Sequence, residues 1–162
     1  MNKAYLLIGG NMGDRLANLQ EAIINIRAHA GTVEKISSIY ETAAWGNTQQ
    51  EAFLNQALLI ETIHSASQLM SILLDIEIKQ GRIRSIPMGP RTIDIDIIYF
   101  NDDRIETKEL TIPHPSMFKR NFVLIPLVEI APNYLHPILH KSNSALLSAC
   151  ADDCLVHKKI EF

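Results

Sequence analysis

Residues 32–42 and 52–62 both read as strands, and only residues 43–51 separate them, 43–50 of which read as a loop. That gap is too short for a helical crossover, so an antiparallel pair is expected, and a doubly wound parallel sheet is the less favoured arrangement. The remaining elements arrange themselves around this pair. A short apolar run at 3–8 reads as a first strand and is broken by Gly9-Gly10-Asn11-Met12-Gly13. Leu16, Leu19, Ile23, Ile26 and Ala30 then recur at helical spacing, with Asp14 as the expected N-cap and Gly31 as the terminator. Ser65 is placed to cap a second helix striped by Leu69, Ile72 or Leu73, and Ile76, which ends before Gly81. A last strand follows at 93–98, and Asn101-Asp102-Asp103 turns it over.

The order strand, helix, strand, strand, helix, strand predicts an α+β fold. It is a ferredoxin-like split β-α-β core, with helices packed on an antiparallel or mixed sheet and with C-terminal additions. Those additions are expected to include a helical turn around Pro126 and a short helix near 142–151. At 162 residues the chain is expected to be a single domain, 1–162. A net charge of −3 gives no overall attraction to nucleic acid or anionic membrane, and neither partner is expected. Two cysteines, Cys150 and Cys154, exclude a disulfide-built fold and make a reducing cytoplasm the expected home; a monomer is expected as well. With His157 they imitate a zinc half-site, but no fourth ligand is evident.

The chemistry concentrates in Gly89-Pro90-Arg91-Thr92-Ile93-Asp94-Ile95-Asp96-Ile97-Ile98. Strand alternation sends Ile93, Ile95 and Ile97 to one face and Asp94 with Asp96 to the other. Two carboxylates this close call for positive charge between them, and Arg82, Arg84 and Arg91 lie beside them in sequence. Acids that hold a hard cation and arginines that hold phosphates suit a magnesium-bound polyphosphate. Phe53 and Asn55 share a face of their strand, where a planar heterocycle could stack on the ring while the amide reads its edge. His114 is fenced by Pro113 and Pro115 and could reach a phosphate.

Taken together, these residues resemble the 6-hydroxymethyl-7,8-dihydropterin pyrophosphokinase family of folate biosynthesis. The resemblance rests on the Gly-Gly-Asn loop, 37–42, Phe53-Leu54-Asn55, Glu77 through Arg82, 89–96, and Pro113-His114 leading to Arg120 and Phe122. It implies an ATP-dependent diphosphotransferase that releases AMP. Arg82, Arg91, Asp94 and Asp96 would be catalytic, with the two aspartates ligating two Mg²⁺ ions. Thr42, Ala44, Trp45, Gly46, Phe53, Asn55, Asp94 and Phe122 would bind the pterin. Glu77, Arg82, Arg84, Arg91, Ile97, Thr111, His114 and Arg120 would bind ATP, the co-substrate. The chain departs from the family pattern at Gly10, Phe53, Met88, Glu109 and Pro115. The competing reading is a binding module of the same fold that senses a nucleotide or a pterin without turnover.

Overall fold

The computed structural model describes residues 1–43, 51–82 and 92–159. Strand β1 (Asn2–Gly10) runs through the middle of the sheet, antiparallel to β4 (Phe53–Thr62) on one side and β5 (Asp94–Phe100) on the other. Beyond β4 come β2 (Thr32–Ile36) and β3 (Tyr40–Thr42), and β8 (Val156–Lys158) extends the sheet past β3. Strand order β5-β1-β4-β3-β8 is the split β-α-β arrangement with one added edge strand. The short strands β6 (Ile105–Glu106) and β7 (Thr111–Ile112) form a separate hairpin.

Helices α1 (Arg15–His29) and α2 (Ala66–Lys79) cover one face of the sheet. Their caps are those expected: Asp14 accepts from the Ala17 N–H, while Ser65 and Gln68 form a reciprocal capping box. Leu19, Ile26, Leu69, Leu73 and Ile76 pack there against Leu6, Ile8, Leu58, Ile60, Ile93 and Ile95. Gly31 has a reason beyond ending α1: a Cβ on it would lie 2.2 Å from the Glu61 carbonyl oxygen.

The opposite face carries a second core under α3 (Asn121–Ile130) and α4 (Asn143–Ser148), built on Leu7, Ala57, Leu59, Ile98 and Tyr99. The C-terminal additions are therefore a third layer. Pro126 lies inside a continuous α3 and not in an isolated helical turn; its ring removes only the bond to the Phe122 carbonyl.

Three details differ from the sequence reading. The stretch 32–42 is two strands, because Ser37 makes side-chain and backbone bonds to β4 that take up an extra residue. Its Oγ accepts from Ala57 N–H at 2.8 Å, and its own N–H donates to Ala57 O at 2.9 Å. Strict alternation in β5 ends at Ile98, where the register against β1 slips. Ile98 and Tyr99 consequently both enter the second core, whereas Phe100 returns to the first. Residues 156–158, whose mixed polarity gives no strand signal, nevertheless pair with β3. Lys159 donates from its backbone to Ile39 O at 2.8 Å and from its side chain to Glu41, so it is not merely a solvated terminal charge.

Candidate active site

Gly9 sits between the two halves of the site. In the sheet register Asp94 is opposite Gly9 on β1, and Gly9 is opposite Asn55 on β4. A Cβ on Gly9 would lie 2.2 Å from Asn55 Oδ1 and 2.8 Å from the Leu54 carbonyl, so glycine is what lets the amide lie across the strand. Strands being spaced ~4.8 Å apart, the acid and the amide stand roughly 10 Å apart across a floor with no side chain.

A cavity of about 250 Å³ opens over this floor. Thr42, Phe53, Asn55, Asp94, Asp96 and Phe122 all face it. Aromatic rings from β4 and α3 thus reach one space, which is what stacking of a flat heterocycle requires. Thr42 is 4% exposed, and its Oγ1 has no hydrogen-bond partner among the described residues. A buried hydroxyl left in that state costs about 1–3 kcal/mol, which a ligand's polar edge would recover.

Arg82, at the end of α2, is held by two acids. Its guanidinium contacts Glu77 Oε1 at 2.9 Å and Asp94 Oδ1 at 2.5 Å. Glu77 is 2% exposed, and its other oxygen accepts the Ile95 N–H at 2.7 Å. Glu77, expected among the ATP ligands, lies beneath the first cavity, where it links α2 to β5 and holds Arg82 beside Asp94. Sequence gave no sign of this, because the link joins two elements through a backbone N–H.

A second cavity, about 320 Å³, lies beside the first, and its walls include Met70, Leu73, Ile97, Thr111, His114 and Glu109. Three residues expected at the nucleotide, Ile97, Thr111 and His114, come together there. Arg120, also expected there, faces the first cavity, because it caps α3 immediately before the Phe122 turn. His114 Nδ1 accepts the Ser116 N–H at 3.3 Å, which leaves Nε2 to carry the proton. Burial lowers the His114 pKa, with Asp94 pulling the other way, so the ring is a neutral donor.

Asp96 lines both cavities. Ala44, Trp45, Gly46, Arg84 and Arg91 lie outside the described residues. Two further residues of the first cavity, Asp152 and Cys154, were not expected in this site, since the C-terminal segment is brought to it by the β8 pairing and by the Asn121–Asp152 bonds, both with partners distant in sequence.

Comparison with known proteins identifies this architecture. A sequence model described as 7,8-dihydro-6-hydroxymethylpterin-pyrophosphokinase matches residues 5–132. The chain belongs to this family. It is a pyrophosphokinase, an enzyme of ATP-dependent pyrophosphoryl transfer to hydroxymethyldihydropterin. The 2-amino-4-hydroxy-6-hydroxymethyldihydropteridine pyrophosphokinase of Bacillus subtilis (strain 168) is 46% identical over 130 residues, covering 80% of this chain and 78% of its own. The protein of the same name from Aquifex aeolicus (strain VF5) is 41% identical over 141 residues, covering 87% and 88%. Among solved structures, Plasmodium falciparum HPPK-DHPS with pteroate superposes with a TM-score of 0.74 at 16% identity. This pyrophosphokinase spans 42% of that longer chain, and the likeness shows the shared fold.

Proposed function

We propose that the pterin lies in the first cavity and ATP enters the second, so that the reacting groups meet at Asp94 and Asp96. The observation that carries this reading is that Asp96 lines both cavities. Phe53 and Phe122 sandwich the pterin ring, and Asn55 with Thr42 hydrogen-bonds its edge. Its hydroxymethyl group then points towards Asp94, across the bare backbone of Gly9.

The donor set fits magnesium. Asp94 and Asp96 offer only carboxylate oxygens, and no cluster of three or more His, Cys, Asp or Glu side chains forms a metal site among the described residues. A site of that kind suits an ion that keeps water and takes the rest of its ligands from phosphate. Two Mg²⁺ ions held there would neutralise the triphosphate and lower the pKa of the attacking hydroxyl. Arg82, already locked against Asp94, balances that acid's charge and contributes a cation beside the phosphates. Neutral His114 donates from Nε2 to a phosphate or ribose oxygen, and Ile97 and Thr111 line the nucleotide's path. Arg84 and Arg91, outside the described residues, join this phosphate-binding group on the family pattern alone. The hydroxymethyl oxygen attacks the β-phosphorus, its proton is lost, and AMP departs.

The test is AMP release from ATP with 6-hydroxymethyl-7,8-dihydropterin and Mg²⁺, followed by chromatography. AMP that depends on the pterin and drops by about 10³-fold or more in Asp96→Ala supports the reading. ADP in its place would mean that the γ-phosphate is transferred. Tight pterin binding with no product would favour a sensor.

A further inference from the structure

Helix α3 brings two residues to the first cavity, Arg120 and Phe122, and the residue between them is tied to the far end of the chain. The Asn121 N–H donates to Asp152 Oδ2 at 2.9 Å, and Asn121 Nδ2 donates to the Asp152 carbonyl at 2.8 Å. The other Asp152 oxygen accepts the Cys154 N–H at 3.0 Å, closing a tight turn in the tail. Arg120, the N-cap of α3, makes no side-chain cap of its own, so the carboxylate of Asp152 supplies the acceptor at the helix start. Asp152 and Cys154 both face the cavity. The cavity also holds the unpartnered, buried Thr42 hydroxyl, an independent mark of a ligand position. Beyond the turn, β8 pairs Val156 with Thr42 and His157 with Glu41, so the tail is fastened to the strand that carries that hydroxyl. The tail residues, Asp152 to His157, lie outside residues 5–132, the part that the family match covers, whereas their partners Asn121, Glu41 and Thr42 lie inside it.

We propose that the segment from Asp152 to Cys154 is a working wall of the pterin site. Asp152 is a positioning residue that sets Phe122 and Arg120 through Asn121, and Cys154 limits the space at the pterin's side. This rests on the first cavity being the pterin site. The thiol serves as a wall and not as a nucleophile: burial and the charges of Asp152 and Asp153 raise its pKa and keep it protonated.

Steady-state kinetics on the full chain test the inference, with KM determined separately for 6-hydroxymethyl-7,8-dihydropterin and for ATP. Asp152→Ala should raise the pterin KM about tenfold while the ATP KM stays within about twofold. Asp152→Asn, which keeps an acceptor for the Asn121 N–H, should recover most of that loss. Cys154→Phe should fill the cavity and abolish binding of the pterin by calorimetry, with binding of a non-hydrolysable ATP analogue retained. Should Asp152→Ala fail to fold, Cys154→Phe decides alone. Equal changes in both KM values, or an unaltered pterin affinity in Cys154→Phe, would overturn the proposal. Phe53→Ala is the reference. If it too leaves pterin affinity unchanged, the pterin site itself has been misplaced; if only the tail variants are silent, the tail inference alone falls.

Discussion

Asp94 is tolerable where it stands because Arg82 reaches it, and Arg82 is tolerable at 8% side-chain exposure because Glu77 reaches it from below. Removing the Glu77 charge takes one of two carboxylates from a guanidinium that stays buried, which is a costly way to break an ion pair. Glu77→Gln should therefore lower unfolding free energy by about 3 kcal/mol, measured from the urea midpoint, and kcat should fall as Arg82 loses its fixed place. An unshifted midpoint would show that the link carries no strain of this kind. Thr42 gives the opposite case. Thr42→Val removes a buried hydroxyl that has no partner, so the ligand-free protein should gain about 1 kcal/mol. The same change should raise the pterin KM about tenfold, since the hydroxyl is satisfied only when a ligand edge arrives. Gain of stability with loss of affinity is a signature that a merely structural threonine would not produce. A variant less stable than the parent, with pterin affinity intact, would remove Thr42 from the site.

At the scale of elements, β1 matters to the site chiefly through the side chain that Gly9 lacks. Gly9→Ala should push the Asn55 amide off its position, costing about 1–3 kcal/mol and raising the pterin KM. Gly31→Ala meets a backbone oxygen just as closely, but at the end of α1. It should destabilise the protein with no change in pterin KM, and thermal melts beside paired kinetics separate the two. A pterin KM that moves equally in both would mean that general loosening, not Asn55, sets affinity. These elements also show how far the sequence could be read. Alternation placed Asp94 and Asp96 on one face and Phe53 with Asn55 on another, because strand period is a local property. Asp14 and Ser65 were readable as caps for the same reason. Gly9-Gly10 read as the break after the first strand, yet both glycines belong to β1, and the need for a bare Gly9 is set by β4, some forty-five residues away along the chain. The slip at Ile98, the Glu77 link to the Ile95 N–H and the β8 pairing likewise depend on distant partners, and no local pattern encodes them.

The molecule as a whole is a sheet with a core on each face, and the second layer is fastened partly by phenols. Tyr40 OH donates to Glu129 on α3 at 2.6 Å, and Tyr99 OH to Asn143 on α4 at 2.7 Å. Tyr134, just before α4, donates to the Asn101 carbonyl and, at 3.1 Å, to Asp102. Burial raises all three pKa values, helped by Glu129 for Tyr40, by Tyr5 for Tyr99, and by Asp102 for Tyr134. Tyr40 is pushed to about 12. Each phenol is therefore protonated in the folded protein at a pH where the unfolded chain has begun to release that proton. The stability they supply is complete below their ordinary value near 10 and is lost as pH rises through the folded values. Urea midpoints should hold up to about pH 9 and then fall steadily towards pH 12. Cys154, also raised by burial, adds to the loss from near pH 9. Tyr99→Phe should lower the midpoint at pH 8, because Asn143 loses its donor, and should flatten the alkaline decline. Parallel declines in parent and variant would sink the assignment to Tyr99. The α3–α4 layer should also loosen before the layer carrying α1 and α2, whose buried core is aliphatic but for Phe100. Hydrogen exchange at pH 8 and pH 10.5, corrected for the intrinsic rate, would register that order. Since α3 carries Phe122 and Arg120, pterin affinity should weaken over the same interval, before the first layer opens.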